Sequence, residues 1–283
     1  MLKERLKEIK AMPLEELQCL NGQQRDELTA AMLEAIGSTD EELRDGLIYS
    51  IFYRLAAEGV LTDRELASIL EVCLDEGHLF YKIDEPSDDA VFTRSFSSLV
   101  IALVLCQDKT RKFLPPAKVE QVFHRSVEYL QREQDIRGFV EGKGWAHSIA
   151  HGADMLAEAA GHPGIDLDCA EETLKAVGAG LFKQGHYSNE EDDRLIFVIE
   201  ALIAKGFPDE RLSEWIASVF EKLQAIHEKE KYSAGFFRNK TNVLNFAKTL
   251  YFRLVFRGGN PAAKERITEN LEHWHGVLYG RTS

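Results

Sequence analysis

Apolar residues recur every three or four positions along nearly the whole chain, and strand-like alternation is almost absent. The pattern predicts an all-α protein. Residues suited to helix ends punctuate it. Thr62-Asp-Arg-Glu65 is a capping box, in which the threonine hydroxyl and the glutamate carboxylate satisfy free amides of a first turn. Pro13, Pro116, Pro208 and Pro261 stand where first turns are expected, and Gly22, Gly37, Gly59, Gly77, Gly161, Gly206 and Gly258 stand at expected helix ends.

After a short amino-terminal set, the predicted helices pair as 40–58 with 62–77, 88–107 with 115–134, 144–160 with 166–184, 189–205 with 208–230, and 236–257 with 261–279. First members begin roughly 45 to 56 residues apart, near the period of HEAT-type helix pairs. Short connections make partners antiparallel, so the first helices should run parallel and gather their amino-terminal ends on one rim. The expected architecture is a single domain over residues 1–283, built as a HEAT-like α-α superhelix, with a closed α/α toroid as the alternative. Residues 80–90 read as the longest loop.

Two first helices, carrying Leu99–Cys106 and Leu195–Ile199, have no polar stripe and should be covered on most sides. Polar residues near their starts therefore stand out: Arg94 before the first run, and Glu191, Asp192, Asp193 and Arg194 before the second. Carboxylates in a first turn complement the helix dipole, and Glu191 is also a candidate general base. The densest signal is Lys143-Gly-Trp-Ala-His-Ser-Ile-Ala-His-Gly-Ala-Asp154. On a helix over 144–160, His147 and His151 lie about 40° apart and Asp154 about 20° off the line of His147. One face would then present two imidazoles and a carboxylate, a set able to hold a divalent metal. The spacing lacks the glutamate after the first histidine that marks His-Glu-x-x-His. Farther on, Asn242 and Asn245 share a helix stripe with Arg238 and Thr249, an unusual use of asparagine in mid-helix.

Composition narrows the function classes. The 283 residues carry 47 acidic and 34 basic side chains, a formal charge of -13, and 45% of them are apolar. That supports a sizeable core and argues against a nucleic-acid partner, since phosphate affinity rests on excess lysine and arginine. The charge is uneven: residues 231–257 hold Lys231, Arg238, Lys240, Lys248, Arg253 and Arg257 and no acid. The longest apolar run is eight residues, Leu99 to Cys106, against the roughly 20 needed to cross a bilayer, so it reads as a core segment and no membrane partner is expected. Cys19, Cys73, Cys106 and Cys169 are widely spaced, which fits a reducing cytoplasm, and all four read as small core hydrophobes. The amino terminus is charged and amphipathic, with no secretory pattern.

The segment Asp135-Ile-Arg-Gly-Phe-Val-Glu-Gly-Lys-Gly-Trp-Ala-His-Ser-Ile-Ala-His-Gly-Ala-Asp154 resembles the hallmark stretch of the bacterial family known as Domain of Unknown Function 2785. Arg94-Ser-Phe-Ser97, Glu191-Asp-Asp-Arg194 and Asn242-Val-Leu-Asn-Phe-Ala-Lys-Thr-Leu-Tyr-Phe252 resemble its other blocks, so that the similarity spans roughly residues 85–255. The resemblance implies a helical-repeat fold and a cytoplasmic bacterial origin. It carries no catalytic role, and it directs attention to Arg94, Arg137, Lys143, Trp145, His147, His151, Asp154, Glu191, Arg194 and Asn242.

Three readings of these residues compete. In the leading one, a binding or scaffold protein receives a small anionic ligand or a peptide carboxylate. Arg94, Arg137 and Arg194 would hold the anion, with Lys143 and Asn242 beside them, Trp145 would form a wall, and His147 and His151 would donate hydrogen bonds. In the second, a metal-dependent hydrolase uses His147, His151 and Asp154 as ligands of one divalent ion, Glu191 as base, and Arg94 or Arg194 to stabilise developing charge. In the third, the same residues are a structural network that locks the repeats together.

Overall fold

The computed structural model describes residues 2–85, 89–183 and 185–280 and is mostly helical. Three short helices, α1 (Leu2–Ala11), α2 (Leu14–Gln18) and α3 (Gly22–Glu34), open the chain. Gly22 is thus the first residue of a helix, behind an Asn21–Gln24 capping box. The first predicted pair begins as a π-helix, Glu42–Tyr49, running directly into α4 (Ser50–Ala57), followed by α5 (Asp63–Cys73). Thr62 and Glu65 form the capping box read from the sequence. The remaining helices follow in order as α6 (Ala90–Arg111), α7 (Pro116–Arg132), α8 (Ser148–Ala160), α9 (Ala170–Leu181), α10 (Glu191–Ala204), α11 (Asp209–Glu230), α12 (Ala234–Arg257) and α13 (Pro261–Tyr279).

One boundary differs in a way that matters. The helix expected over 144–160 begins only at Ser148, and a two-stranded antiparallel hairpin precedes it, β1 (Phe139–Val140) and β2 (Gly144–Trp145), with Phe139 opposite Trp145. Gly142 and Gly144 both adopt positive φ, which turns the chain back on itself instead of letting it wind. The long loop expected at 80–90 is turn structure through Glu85; residues 86–88 lie outside the described residues.

The first helices stand side by side: α4 packs on α6, α6 on α8, α8 on α10, and α10 on α12. On the other side α5 covers α6, α7 covers α8 and reaches α9, and α11 packs against α12 and α13. One apolar core runs through the array from Leu6 to Trp274. Helix α6 is long and apolar enough to cross a membrane by length and composition alone; here it is packed among α4, α5 and α8, with most of that stretch buried. The cysteines depart from the expectation that all four are core residues. Cys73 is buried and Cys169 is partly covered, whereas Cys19, just past the end of α2, and Cys106, on the open side of α6, are exposed.

Candidate functional site

Parallel packing of the first helices brings the starts of α6, α8, α10 and α12 to one rim, and the hairpin sits among them. Its anchor is Arg44 of the π-helix, a side chain with no solvent exposure. The guanidinium lies between the rings of Phe92 and Phe96, 4.1 and 4.8 Å from their centroids. It donates to the carbonyls of Ser38, Lys143 and Trp145 at 2.5, 2.6 and 3.0 Å. Burial without a bonded carboxylate pushes its pKa down. Beyond the hairpin, His147 and Glu190 occupy the residue before α8 and α10 respectively, both left-handed, with φ of 47° and 66°. Two non-glycine residues in that region at adjacent helix starts mark a locally strained rim.

His147 is therefore not on the face of α8. Its Nε2 donates to the carbonyl of Asn189 at 2.9 Å, and its ring stacks on Trp145 with centroids 4.3 Å apart. Burial lowers its pKa, against the opposing pull of Glu191. His151, inside the first turn of α8, is 9% exposed. Its Nδ1 lies 2.7 Å from the hydroxyl of Ser95, which also bonds the carbonyl of Ala146. A carbonyl can only accept, so the single hydroxyl proton of Ser95 points to Ala146 and Ser95 accepts from His151. The two histidines are thereby held in opposite neutral forms, His147 protonated on Nε2 and His151 on Nδ1. Burial first, and then His147 and Arg194, hold the His151 pKa well below its ordinary range.

The charged candidates divide sharply. Arg94 is buried in a two-pronged pair with Glu133, at 2.7 and 2.9 Å, and gives its remaining nitrogen to the carbonyl of Tyr81. Asn242 clamps the loop before α10, accepting from the amide of Tyr187 and donating to the carbonyl of Gly185, both at 3.0 Å. Arg137 pairs with Asp135 and Lys143 with Asp89. These four are engaged within the protein, each basic group beside a carboxylate or a carbonyl that the fold places there, and Arg94 and Arg137 line one small cavity together with Glu133 and Asp135. Glu191 is buried and accepts from the amide of Asn189 at 2.9 Å, with its other oxygen 3.9 Å from His147 Nε2. It closes the turn before α10. Arg194 reaches across from α10 to Asp154 on α8 at 2.6 Å, and burial keeps the Asp154 pKa raised in spite of that partner.

The metal face also does not form. Among the described residues no three His, Cys, Asp or Glu side chains converge to hold an ion. His147 has left the helix, His151 is tied to Ser95, and Asp154 is tied to Arg194.

Residues 79–252 match the model of the family described as Protein of unknown function (DUF2785). The chain belongs to that family. No curated protein and no solved structure matches it. The match runs from the turns before α6 into the last third of α12, and so includes the hairpin, both histidines and the rim.

Below the rim, this DUF2785 protein has a cleft of about 690 Å³ along the exposed sides of the first helices. Tyr49 and Tyr53 wall one side, Leu99, Leu103, Phe197 and Ala201 contribute apolar surface, and Asp154 stands at the end nearest the rim. Ion pairs edge it, Lys109 with Glu158 at 2.6 Å and Arg257 with Glu200 at 2.8 Å. Burial pushes the Tyr49 hydroxyl pKa up to about 12, so the group is neutral and can both donate and accept. Several of these residues carried no signal in the sequence. Arg44 and Ser95 bond to backbone carbonyls about 50 to 100 positions away, and carbonyls have no residue identity to read. A second buried pair, His162 with Asp108 at 3.0 Å, escaped notice for want of a nearby partner in the chain.

Proposed function

We propose that this DUF2785 protein is a HEAT-like α-solenoid that binds an extended, partly apolar ligand, with a segment of a partner protein as the best fit, in the cleft along its first helices. The observation that carries the reading is the cleft itself. Five successive first-helix segments line it, its volume falls in the range of roughly 300 to 1,000 Å³ typical of ligand sites, and its apolar floor is edged by charges. The order α4, α6, α8, α10, α12 favours an open stack over a closed ring, and so does the outer stripe of α12, where Phe252 and Phe256 are 55% and 82% exposed. A ring would bring another helix over that stripe.

The anionic-ligand idea contracts to one residue. Arg194 is 38% exposed and commits Nη1 to Asp154, which leaves the rest of its fork for a peptide carbonyl or carboxylate. The net charge of -13 supports a protein partner over nucleic acid, and unpaired cysteines suit a cytoplasmic bacterial protein. Arg94 and Asn242 are better read as locks between repeats. The test uses a library of fluorescent octapeptides and an Ala201→Trp variant, which fills the cleft without touching the rim. Peptides selected on the wild-type protein should bind Ala201→Trp at least tenfold more weakly while its helical circular dichroism is unchanged. Equal binding to both proteins, or no peptide selected at all, refutes the reading.

A further inference from the structure

Ser95 controls what the rim end of the cleft can recognise. The hydroxyl sits between two groups, the carbonyl of Ala146 and Nδ1 of His151. Its single proton is committed to the carbonyl, so Nδ1 must carry the imidazole proton and Nε2 must carry the lone pair. That Nε2 makes no hydrogen bond among the described residues, and it is not counted among the buried polar atoms left without a partner. Part of its surface is thus open, although the residue as a whole is only 9% exposed. The edge contact of Phe96 with the His151 ring, centroids 5.4 Å apart, holds the ring in place. The charged or titratable groups facing the ring are Arg44 from the π-helix, His147 from the hairpin end and Arg194 from α10. Arg44 and Arg194 repel a second proton on His151, and so does His147 whenever it is itself protonated. The ring lies one turn from Asp154 on α8, while Ser95 lies one turn from Leu99 on α6, and both Asp154 and Leu99 line the cleft.

We infer that His151 is a fixed hydrogen-bond acceptor at the rim end of the cleft, and that the ligand must present a donor there, an amide N–H or a hydroxyl, rather than an anion. The inference rests on the cleft being a binding site and names the chemistry that site selects. It also reverses the role expected from the sequence, in which the histidines donate to an anion. With Arg194 bonded to Asp154 at the same end and holding a spare donor, the pair offers one acceptor and one donor, the complement of an extended peptide backbone.

Two measurements on the full chain test it. First, long-range ¹H–¹⁵N correlation spectra at pH 7.5 report which ring nitrogen of His151 bears hydrogen. The inference requires Nδ1–H, and in Ser95→Ala a mixture of the two forms. Nε2–H in the wild-type protein overturns it. Second, N-acetyl-leucine methylamide and N-acetyl-leucine dimethylamide serve as probes that differ in one N–H. The methylamide should shift the His151 Nε2 resonance and bind about five- to tenfold more tightly than the dimethylamide. If both probes shift cleft resonances equally and leave Nε2 unmoved, donor selection is wrong while the cleft reading stands. If neither probe moves any cleft resonance, the cleft reading falls and takes this inference with it.

Discussion

Glu133 has no solvent exposure and Arg94 beside it has almost none, so neither can be removed alone without stranding the other. Arg94→Ala should therefore cost about 3–5 kcal/mol in urea unfolding, the range for breaking a buried pair from one side. A loss under 1 kcal/mol would mean that water reaches Glu133 and that the pair is no lock. The histidines set a pH dependence. His147, His151 and His162 all have pKa values lowered from about 6.5, each chiefly by burial, so the native state favours the neutral ring while the unfolded chain takes up protons first. Their contribution is complete above about pH 6.5 and is lost as pH falls through that value toward the native pKa values. Asp154 and Asp192, whose pKa values are raised by burial, act in the opposite sense. Thermal melts from pH 7.5 to 5.5 should show Tm falling, and His151→Gln should flatten part of the slope. Identical slopes for the two proteins would place the His151 titration outside this range.

At the level of single elements, the hairpin was the main feature the sequence concealed. Trp145 and Ala146 stand four positions before Ile149 and Ala150, the apolar spacing of a helix, and periodicity alone extends α8 back to Gly144. The contrary signal was the Gly-Lys-Gly run, since Gly142 and Gly144 both need positive φ. At Gly144 an added Cβ would also come within 2.4 Å of the Glu41 carboxyl carbon. Glu41 is exposed and can move, whereas the backbone angle cannot. Gly144→Ala should accordingly lose about 1–2 kcal/mol from the left-handed backbone, and adding Glu41→Ala should restore little of it. Full rescue by Glu41→Ala would assign the cost to crowding instead. The π-helix was not legible either, because what defines it is an i→i+5 pattern of backbone hydrogen bonds, and backbone groups carry no residue identity. By contrast, the capping boxes at Asn21 and Thr62 and the proline starts of α7 and α13 are local devices, complete within four residues.

The whole molecule is larger than the matched segment. The family match begins at residue 79, after α5, yet α4 and α5 cover α6, Arg44 holds the hairpin, and Tyr49 and Tyr53 wall the cleft. Residues 79–283 expressed alone should expose the covered face of α6, bind a hydrophobic dye, and lose the cooperative melt of the full chain. A cooperative melt within a few degrees of the full chain's would make residues 1–78 an appendage to an independent unit.

Sequence pattern alone determined the all-α class, the order of the helices, most of their ends, and the rim on which the unusual polar residues gather. All of these follow from period, caps and connection length, which are local. Which polar residues are free was decided by tertiary structure. Arg94, Arg137, Lys143 and Asn242 looked as available as Arg194 until Glu133, Asp135, Asp89 and the backbone of Gly185 and Tyr187 were brought against them. His151 looked like a metal ligand or an anion donor until Ser95, 56 positions away, directed its proton inward. A side chain's chemistry depends on the group bonded to its other end, and that group is set by packing between helices rather than by spacing along one.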